Sequence, residues 1–182
     1  MSKIEESIIN AGFGGQGVMV LGKFFATCGM MSGLEVTWLP SYGAEVRGGT
    51  AHSFVKISSD KIANPVVFTP DTAIIMNGPS LDKFEQSIKS GGLLILNSSM
   101  STHGVERNDI EVVKAPLTDE AISIGNVRVA NIIAAGIYAA KKKIFNEPLM
   151  EDVIGKMLAG REDLIAVNMK ALKKGLEIGS NT

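Results

Sequence analysis

Cysteine is nearly absent from this sequence, and its scarcity excludes several kinds of site. The 182 residues include one cysteine, Cys28. The chain therefore cannot form an internal disulfide, and it cannot hold an iron–sulfur cluster or a cysteine zinc site by itself. Cys28 falls on the apolar face of a predicted helix, which is typical of an unreactive core thiol. An electron-transfer reaction would need redox centres from another chain.

An excess of charge of one sign and a long hydrophobic run are missing as well. The chain has 18 Lys and Arg residues and 19 Asp and Glu residues, a net charge of −1, which argues against a nucleic-acid-binding surface. The longest apolar stretch, residues 129–140, is interrupted by Asn131 and is shorter than the ~20 residues that span a membrane. Residues 1–7 are polar and lack the hydrophobic region of a signal peptide. We therefore expect a cytoplasmic protein without nucleic-acid or membrane partners, folded as a single domain over residues 1–182.

Glycine is concentrated in a short motif near the start of the chain. An apolar run at residues 8–11 precedes the motif, and a helical pattern over residues 18–31 follows it. This order favours a phosphate site, because glycines let the backbone approach an anion and the N–H groups of the helix start point toward it. The alternative is a tight turn that binds nothing. The predicted cofactor-binding residues are Gly12, Gly14, Gly15, Gln16 and Gly17.

A second candidate loop follows a predicted strand at residues 35–39. If this strand runs parallel to the first, its loop emerges at the same sheet edge as the glycine motif, where open α/β sheets bind ligands. Dinucleotide enzymes usually have an acid at the end of this strand, but Glu35 lies at its other end, which disfavours NAD. The loop suits an anion clamp or a contact with a partner; the alternative is a Glu45–Arg47 arrangement that only orders it. Its candidate residues are Ser41, Tyr42, Glu45, Arg47, Gly48, Gly49 and Thr50.

The remaining periodicity predicts a three-layer, Rossmann-like α/β domain with a mostly parallel sheet and helices on both faces. Alternation over residues 51–57 indicates an antiparallel strand, and Ser80 and Thr118 are predicted caps. The helical stretch 125–143 has almost no polar face, so either a partner covers it, which we favour, or the chain's own fold does. A third loop, at residues 97–99, completes the predicted functional edge. The other strands are predicted at residues 7–11, 71–76, 93–96 and 110–115, and the other helices at 17–32, 81–89, 149–158 and 162–178, before a frayed tail.

Two motifs together resemble a known family. Residues 12–17 read Gly-Phe-Gly-Gly-Gln-Gly, and residues 41–51 read Ser-Tyr-Gly-Ala-Glu-Val-Arg-Gly-Gly-Thr-Ala. In this order they resemble the gamma subunit of 2-oxoacid:ferredoxin oxidoreductases, and the likeness continues to Ser58 and reappears near Asn131. The second motif is more similar to the 2-oxoglutarate members than to the pyruvate members, although Ala44 stands where many relatives have proline.

The resemblance implies a subunit of a complex that decarboxylates a 2-oxoacid, reduces ferredoxin and forms an acyl-coenzyme A. It implies coenzyme A as a substrate near this chain, and glycine-loop and second-loop residues at a coenzyme A or subunit surface. Thiamine diphosphate, magnesium and iron–sulfur clusters would belong to the alpha, beta and ferredoxin-like partner subunits, with ferredoxin an indirect partner. The sequence itself has no Gly-Asp-Gly motif for thiamine diphosphate, and we predict no catalytic residue and no metal site in it. Two other functions stay open: a free-standing NAD(P)-binding enzyme and a scaffold subunit with no ligand.

Overall fold

The chain forms a six-stranded sheet with helices packed on both of its faces. The structure, a computed structural model, describes residues 3–42, 50–102 and 104–182. Along the chain the strands are β1 Glu5–Phe13, β2 Glu35–Tyr42, β3 Thr50–Ser58, β4 Thr72–Ile75, β5 Leu93–Asn97 and β6 Glu111–Ala115. Their order across the sheet is β2-β3-β1-β4-β5-β6.

Strand β3 is the one that runs against the others in the described sheet. It pairs antiparallel with both β1 and β2, whereas β1, β4, β5 and β6 pair in parallel. The prediction of an antiparallel strand in a mostly parallel sheet is therefore confirmed. Because β3 is antiparallel to both β1 and β2, those two strands run in the same direction and end at the same edge of the sheet. At this edge Phe13 lies opposite Thr50, and Tyr42 lies opposite Ala51.

Strand β2 was predicted to end at residue 39, before Pro40, but it continues through this proline. Pro40 pairs with Ser53 of β3, and the strand reaches Tyr42. Proline lacks a backbone donor, but β2 is an edge strand, and an edge strand tolerates one unpaired side.

Six α-helices connect and cover the strands within the described ranges. The first was predicted at residues 17–32 and ends at Met31. Gly33 has a φ of +73°, and the N–H groups of Gly33 and Leu34 donate to the carbonyls of Met30 and Gly29, a typical glycine stop. The helices are α1 Val18–Met31, α2 Gly78–Phe84, α3 Leu117–Ile124, α4 Ala130–Lys142, α5 Glu147–Met157 and α6 Glu162–Asn181, and short 3₁₀ turns occupy Glu85–Ser87, Ser98–Met100 and Val127–Val129.

The sheet separates two apolar cores of unequal size. Alternate strand residues such as Ile8 and Ile74 face the larger core, which takes in side chains from α1, α3, α4, α5 and α6. Their neighbours, such as Ile9 and Ile75, face the smaller core under α2. Both faces thus carry helices, so the predicted three-layer arrangement is confirmed.

Helix α4 is buried by this chain and needs no partner to cover it. Every residue from Ala130 to Ala139 is buried. Helix α6 lies against it so closely that a methyl group on Gly136 or Gly175 would run into the backbone of the other helix. Our preference for a covering partner was wrong, because glycines let two backbones meet and close the apolar surface internally.

Several predicted helix bounds differ from the structure: the helix predicted at 81–89 ends at Phe84, and the one predicted at 125–143 begins at Ala130. Three further differences at helix ends have a visible cause. Helix α2 begins before Ser80, because the Asn77 side chain accepts the Ser80 N–H at 2.9 Å and acts as the cap. Helix α3 has Pro116 at its cap position rather than Thr118. Residues 179–181 are helical rather than frayed, since Gly179 packs on the backbone of Ile137.

Candidate ligand-binding site

The glycine motif forms the loop between β1 and α1. Gly15 and Gly17 have φ values of +98° and +74°, a left-handed conformation that favours glycine. The Gln16 N–H donates to the Phe13 carbonyl at 3.1 Å and closes the turn. The chain leaves β1 toward β2 on one side of the sheet and returns to β4 on the other. In open α/β sheets, ligands bind at the carboxyl ends of strands where connections diverge in this way.

The Gln16 side chain holds this loop together. Its Oε1 accepts the Phe13 N–H at 2.7 Å and the Asn77 Nδ2 at 2.8 Å, and its Nε2 donates to the Met76 carbonyl at 3.1 Å. Gly12 leaves room for this side chain, because a Cβ on Gly12 would lie 2.7 Å from Oε1. Gly12 and Gln16, both predicted to bind a cofactor, thus shape the loop; direct ligand contact remains a prediction.

The exposed part of the loop offers free donors. Within the described part of the chain, the N–H groups of Gly14, Gly15 and Gly17 have no acceptor. Helix α1 has neither a side-chain cap nor an acid in its first turn, so its positive end faces outward unneutralised. These donors and this dipole suit an anion such as a phosphate.

The glycines differ in how much space surrounds them. A Cβ on Gly14 would meet nothing within 4 Å, whereas one on Gly17 would lie 2.5 Å from the Nδ2 of Asn131. That amide, which is buried at the start of α4, donates to the Gly17 carbonyl at 3.1 Å. The loop is therefore fixed at Gly17 and open at Gly14.

A cavity of about 220 Å³ lies beside the loop. Gly15 and Gln16 form one wall, and Arg128 and Thr118 bring polar groups from the turn before α4 and from α3. The remaining lining is apolar and comes from Met76, Met100, Val127 and Ala130. None of the lining residues outside the loop was predicted as a site residue, because they come from four separate stretches of sequence.

The third predicted loop, residues 97–99, uses its polar side chains mainly for hydrogen bonds to neighbouring parts of the fold. The Asn97 side chain is buried, and its Nδ2 donates to the Met76 carbonyl at 3.2 Å and to Thr118 Oγ1 at 2.9 Å. Ser99 Oγ donates to Asp119 Oδ2 at 2.9 Å. These bonds place Met100 at the cavity, while the polar side chains of Asn97 and Ser99 are used within the fold.

The second predicted loop is described only at its two ends. Ser41 and Tyr42 end β2, and Thr50 begins β3, opposite Phe13 of β1. These ends lie at the carboxyl edge of β1, as predicted. Glu45, Arg47, Gly48 and Gly49 lie outside the described residues, so their placement stays a prediction.

His52 follows this loop and packs among aromatic rings. Its ring centroid lies 5.3 Å from that of Phe54 and 5.0 Å from that of Phe84. Burial, with a smaller contribution from the charge of Lys83, lowers its pKa. The described residues contain no group of three or more His, Cys, Asp or Glu side chains that could hold a metal ion.

A buried carboxylate, Glu6, and a half-buried one, Asp71, lie at the opposite edge of the sheet, in a cleft of about 630 Å³. Burial raises the pKa of Asp71, but hydrogen bonds from Lys89 and Ser7 outweigh it and leave that pKa below its usual value. Burial raises the pKa of Glu6, despite the hydroxyl of Thr72. Both carboxylates have partners within the fold and lie far from the glycine loop, so we assign them to stability.

A mostly parallel sheet with helices on both faces and an open glycine loop at the end of a central strand defines a Rossmann-like α/β domain. Among the described residues, no helix is long and apolar enough to cross a membrane. Sequence comparison identifies the family within this class. The chain belongs to the pyruvate ferredoxin/flavodoxin oxidoreductase family, which it matches over residues 7–178.

Similar proteins include subunits of two oxidoreductases. The ketoisovalerate oxidoreductase subunit VorA of Methanothermobacter thermautotrophicus is 33% identical over 168 residues, which cover 92% of this chain but 35% of VorA. The 2-oxoglutarate synthase subunit KorC of Methanocaldococcus jannaschii is 31% identical over 180 residues, which cover 97% of this chain and 95% of KorC. The chain thus spans about a third of VorA and nearly all of KorC. The resemblance seen in the two motifs is confirmed.

Solved structures share the fold. The gamma subunit of a keto/oxoacid ferredoxin oxidoreductase from Geobacter sulfurreducens aligns with a TM-score of 0.84 and 25% identity, covering 97% of this chain and 99% of that one. The 2-oxoglutarate:ferredoxin oxidoreductase of Magnetococcus marinus, solved with 2-oxoglutarate, coenzyme A and succinyl-CoA bound, aligns with a TM-score of 0.89 and 24% identity. The alignment covers all of this chain and 32% of that one.

Proposed function

We propose that the chain is the gamma subunit of a thiamine diphosphate-dependent 2-oxoacid:ferredoxin oxidoreductase. The complex would decarboxylate a 2-oxoacid oxidatively, form an acyl-coenzyme A and pass the electrons to ferredoxin. The observation that carries the proposal is the end-to-end match with KorC, which covers 97% of this chain and 95% of that subunit. The same match favours 2-oxoglutarate as the 2-oxoacid.

The contribution of this chain is a surface for the diphosphate of coenzyme A. The free N–H groups of Gly14, Gly15 and Gly17 and the uncapped start of α1 support this role, because preorganised donors bind a phosphate without having to be rearranged. Thiamine diphosphate, magnesium and iron–sulfur clusters belong to the alpha, beta and ferredoxin-like partners. The one cysteine of this chain, Cys28, is buried and does not suit a cluster.

The loop between Tyr42 and Thr50 is the proposed contact with a neighbouring subunit. Its two ends lie at the same edge as the glycine loop, so a partner that meets this loop also approaches the ligand. Glu45 and Arg47 supply opposite charges for docking rather than acid–base catalysis.

The test is Gly14→Val in the assembled complex. The structure leaves open space at this position, so the variant should fold normally while its side chain occupies the place of the anion. We expect coenzyme A affinity to fall by more than about 2 kcal/mol, the scale of lost charge-assisted bonds. Gly104→Val is the matched control, because Gly104 also has open space around it. Unchanged affinity in Gly14→Val would make the loop structural and the chain a scaffold subunit.

A further inference from the structure

The cleft at the amino ends of β1 and β4 carries an aromatic side chain that the fold leaves in solvent. The connector between β3 and β4 forms one wall of this cleft, whose volume is about 630 Å³. Phe68 of the connector is 78% exposed, and Val66 beside it is 42% exposed. The cleft lies at the edge of the sheet opposite the glycine loop, and none of the contacts described so far uses its exposed apolar side chains.

Phe68 is held in solvent by a connector that is tied to the fold. The Lys56 Nζ donates to the Asn64 carbonyl at 2.7 Å, and the Val66 N–H donates to Asn64 Oδ1 at 2.9 Å. Val67, the residue directly before Phe68, is buried. A fixed aromatic ring with an apolar neighbour, both in solvent, is typical of the anchor of a protein–protein interface, where aromatic residues are enriched.

The charged groups of this cleft leave one anion and one cation free. The two carboxylates described above have partners within the fold, and the Lys56 ammonium donates to a carbonyl. Glu5 and Lys61 also line the cleft, and both are exposed. Neither side chain makes an ion pair or a hydrogen bond with any residue that the structure describes.

A surface with one free charge of each sign is complementary to itself. In a two-fold contact a residue of one copy meets a different residue of the other copy, so the same pair of contacts occurs twice. Lys61 of each copy would face Glu5 of the other, and Phe68 of each would lie over the opposite cleft. A partner with an excess of one charge would leave either Lys61 or Glu5 unmatched.

We propose that this cleft is a homodimer interface, in which two copies of the chain meet about a two-fold axis. Phe68 is buried near the axis, and Lys61 of one copy pairs with Glu5 of the other. The inference goes beyond the proposed function and does not depend on it. Because the glycine loop and the ends of β2 and β3 that flank the second loop lie at the opposite edge of the sheet, the dimer leaves them accessible to other subunits.

The first test is the mass of the purified chain, measured by analytical ultracentrifugation at increasing concentration. We expect a dimer whose dissociation constant rises about tenfold or more in Phe68→Ser, because truncating a buried anchor of an interface has an effect of this size. Met30→Ser is the matched control, since Met30 is 65% exposed but does not line the cleft. It should leave the dissociation constant unchanged.

Charge reversal tests the predicted pair of contacts. Lys61→Glu and Glu5→Lys should each weaken the dimer by about tenfold, because each places like charges opposite one another. When the two variants are mixed, they should form a heterodimer as tight as the original dimer, since both contacts then join opposite charges. An effect of either substitution on the fold alone would not be reversed by mixing.

A chain that stays monomeric at the highest concentration, or a dimer that Phe68→Ser leaves intact, would overturn the inference. Charge-reversed variants that do not associate when mixed would also overturn it. If Phe68→Ser abolishes co-purification with the alpha, beta or ferredoxin-like subunits, the cleft belongs to one of them and not to a second copy. The affinity of the Gly14→Val complex for coenzyme A tests the proposed function separately, so the two can fail independently.

Discussion

The hydrogen bonds of Gln16 lead to a prediction about the rigidity of the glycine loop. Replacing Gln16 with methionine keeps the length of the side chain and removes its amide. The Phe13 N–H and the Asn77 Nδ2 then lose their acceptor. The Met76 carbonyl loses one donor but keeps the other, from Asn97 Nδ2 at 3.2 Å.

The expected cost follows from the two stranded donors. Each lost hydrogen bond contributes about 1 kcal/mol, so Gln16→Met should reduce the free energy of unfolding by about 2 kcal/mol. For a domain of this size that corresponds to a fall in Tm of about 4–8 °C. Gln16→Glu should cost less stability, because a carboxylate still accepts both donors, but its negative charge should weaken coenzyme A binding more strongly than Gln16→Met does.

Urea unfolding of the purified chain, followed by circular dichroism, measures the loss in the free energy of unfolding. Amide hydrogen exchange measures the loss of the acceptor at Phe13, because its N–H should exchange faster in Gln16→Met. Gln86→Met is a suitable control because the Gln86 side chain is exposed and hydrogen-bonds to none of the described residues. A Gln16→Met variant with the stability and Phe13 protection of the original protein would show that the amide does not hold the loop.

Three further predictions concern other parts of the chain. Gly175→Ala should destabilise the chain by about 1–3 kcal/mol or more in urea unfolding, because its methyl group meets the backbone of α4. The control Gly155→Ala places its methyl group in open space and should not destabilise the chain. Equal stability of the two variants would contradict the close packing of α4 against α6. The pKa of Asp71 is lower in the folded chain than in the unfolded chain. Asp71 therefore stabilises the folded state at pH values above its unfolded pKa, and this stabilisation is lost as the pH falls through its folded pKa. Asp71→Asn should therefore cost stability at neutral pH and little in strong acid, and a cost independent of pH would refute this. Arg47→Lys should weaken subunit association, measured by co-purification, or complex turnover by about 1–3 kcal/mol. An Arg47→Ala variant that leaves both intact would show that Arg47 contributes to neither.

Local patterns in the sequence predict most of the secondary structure and the place of the glycine loop. A strand, a glycine turn and a helix follow each other directly, so residues 8–31 are enough to predict where the loop lies in the fold. The alternation of residue types along β3 likewise predicts that its two faces have different surroundings. The cap of α2 also had a local signal, because Asn77 precedes Gly-Pro, a common helix start.

Other features depend on contacts between distant segments. Met100, Thr118 and Arg128 meet only after β4 and β5 are aligned and α3 folds back, so no spacing in the sequence identifies the cavity. The burial of α4 depends on Gly136 facing Gly175 across two helices. The role of Gln16 was also hidden, since a motif shows which residues are present and not which atoms they bond.

The burial of Cys28 makes the chain a clean background for covalent mapping of the site. This thiol is fully buried, and burial raises its pKa to about 12, so it contributes almost no thiolate at neutral pH and exchanges very slowly with disulfides. A cysteine introduced at Met100, on the rim of the cavity, would be the reactive thiol of the chain. A symmetric disulfide of coenzyme A would then exchange with this thiol, releasing one coenzyme A and tethering the other by its thiol end at one known position.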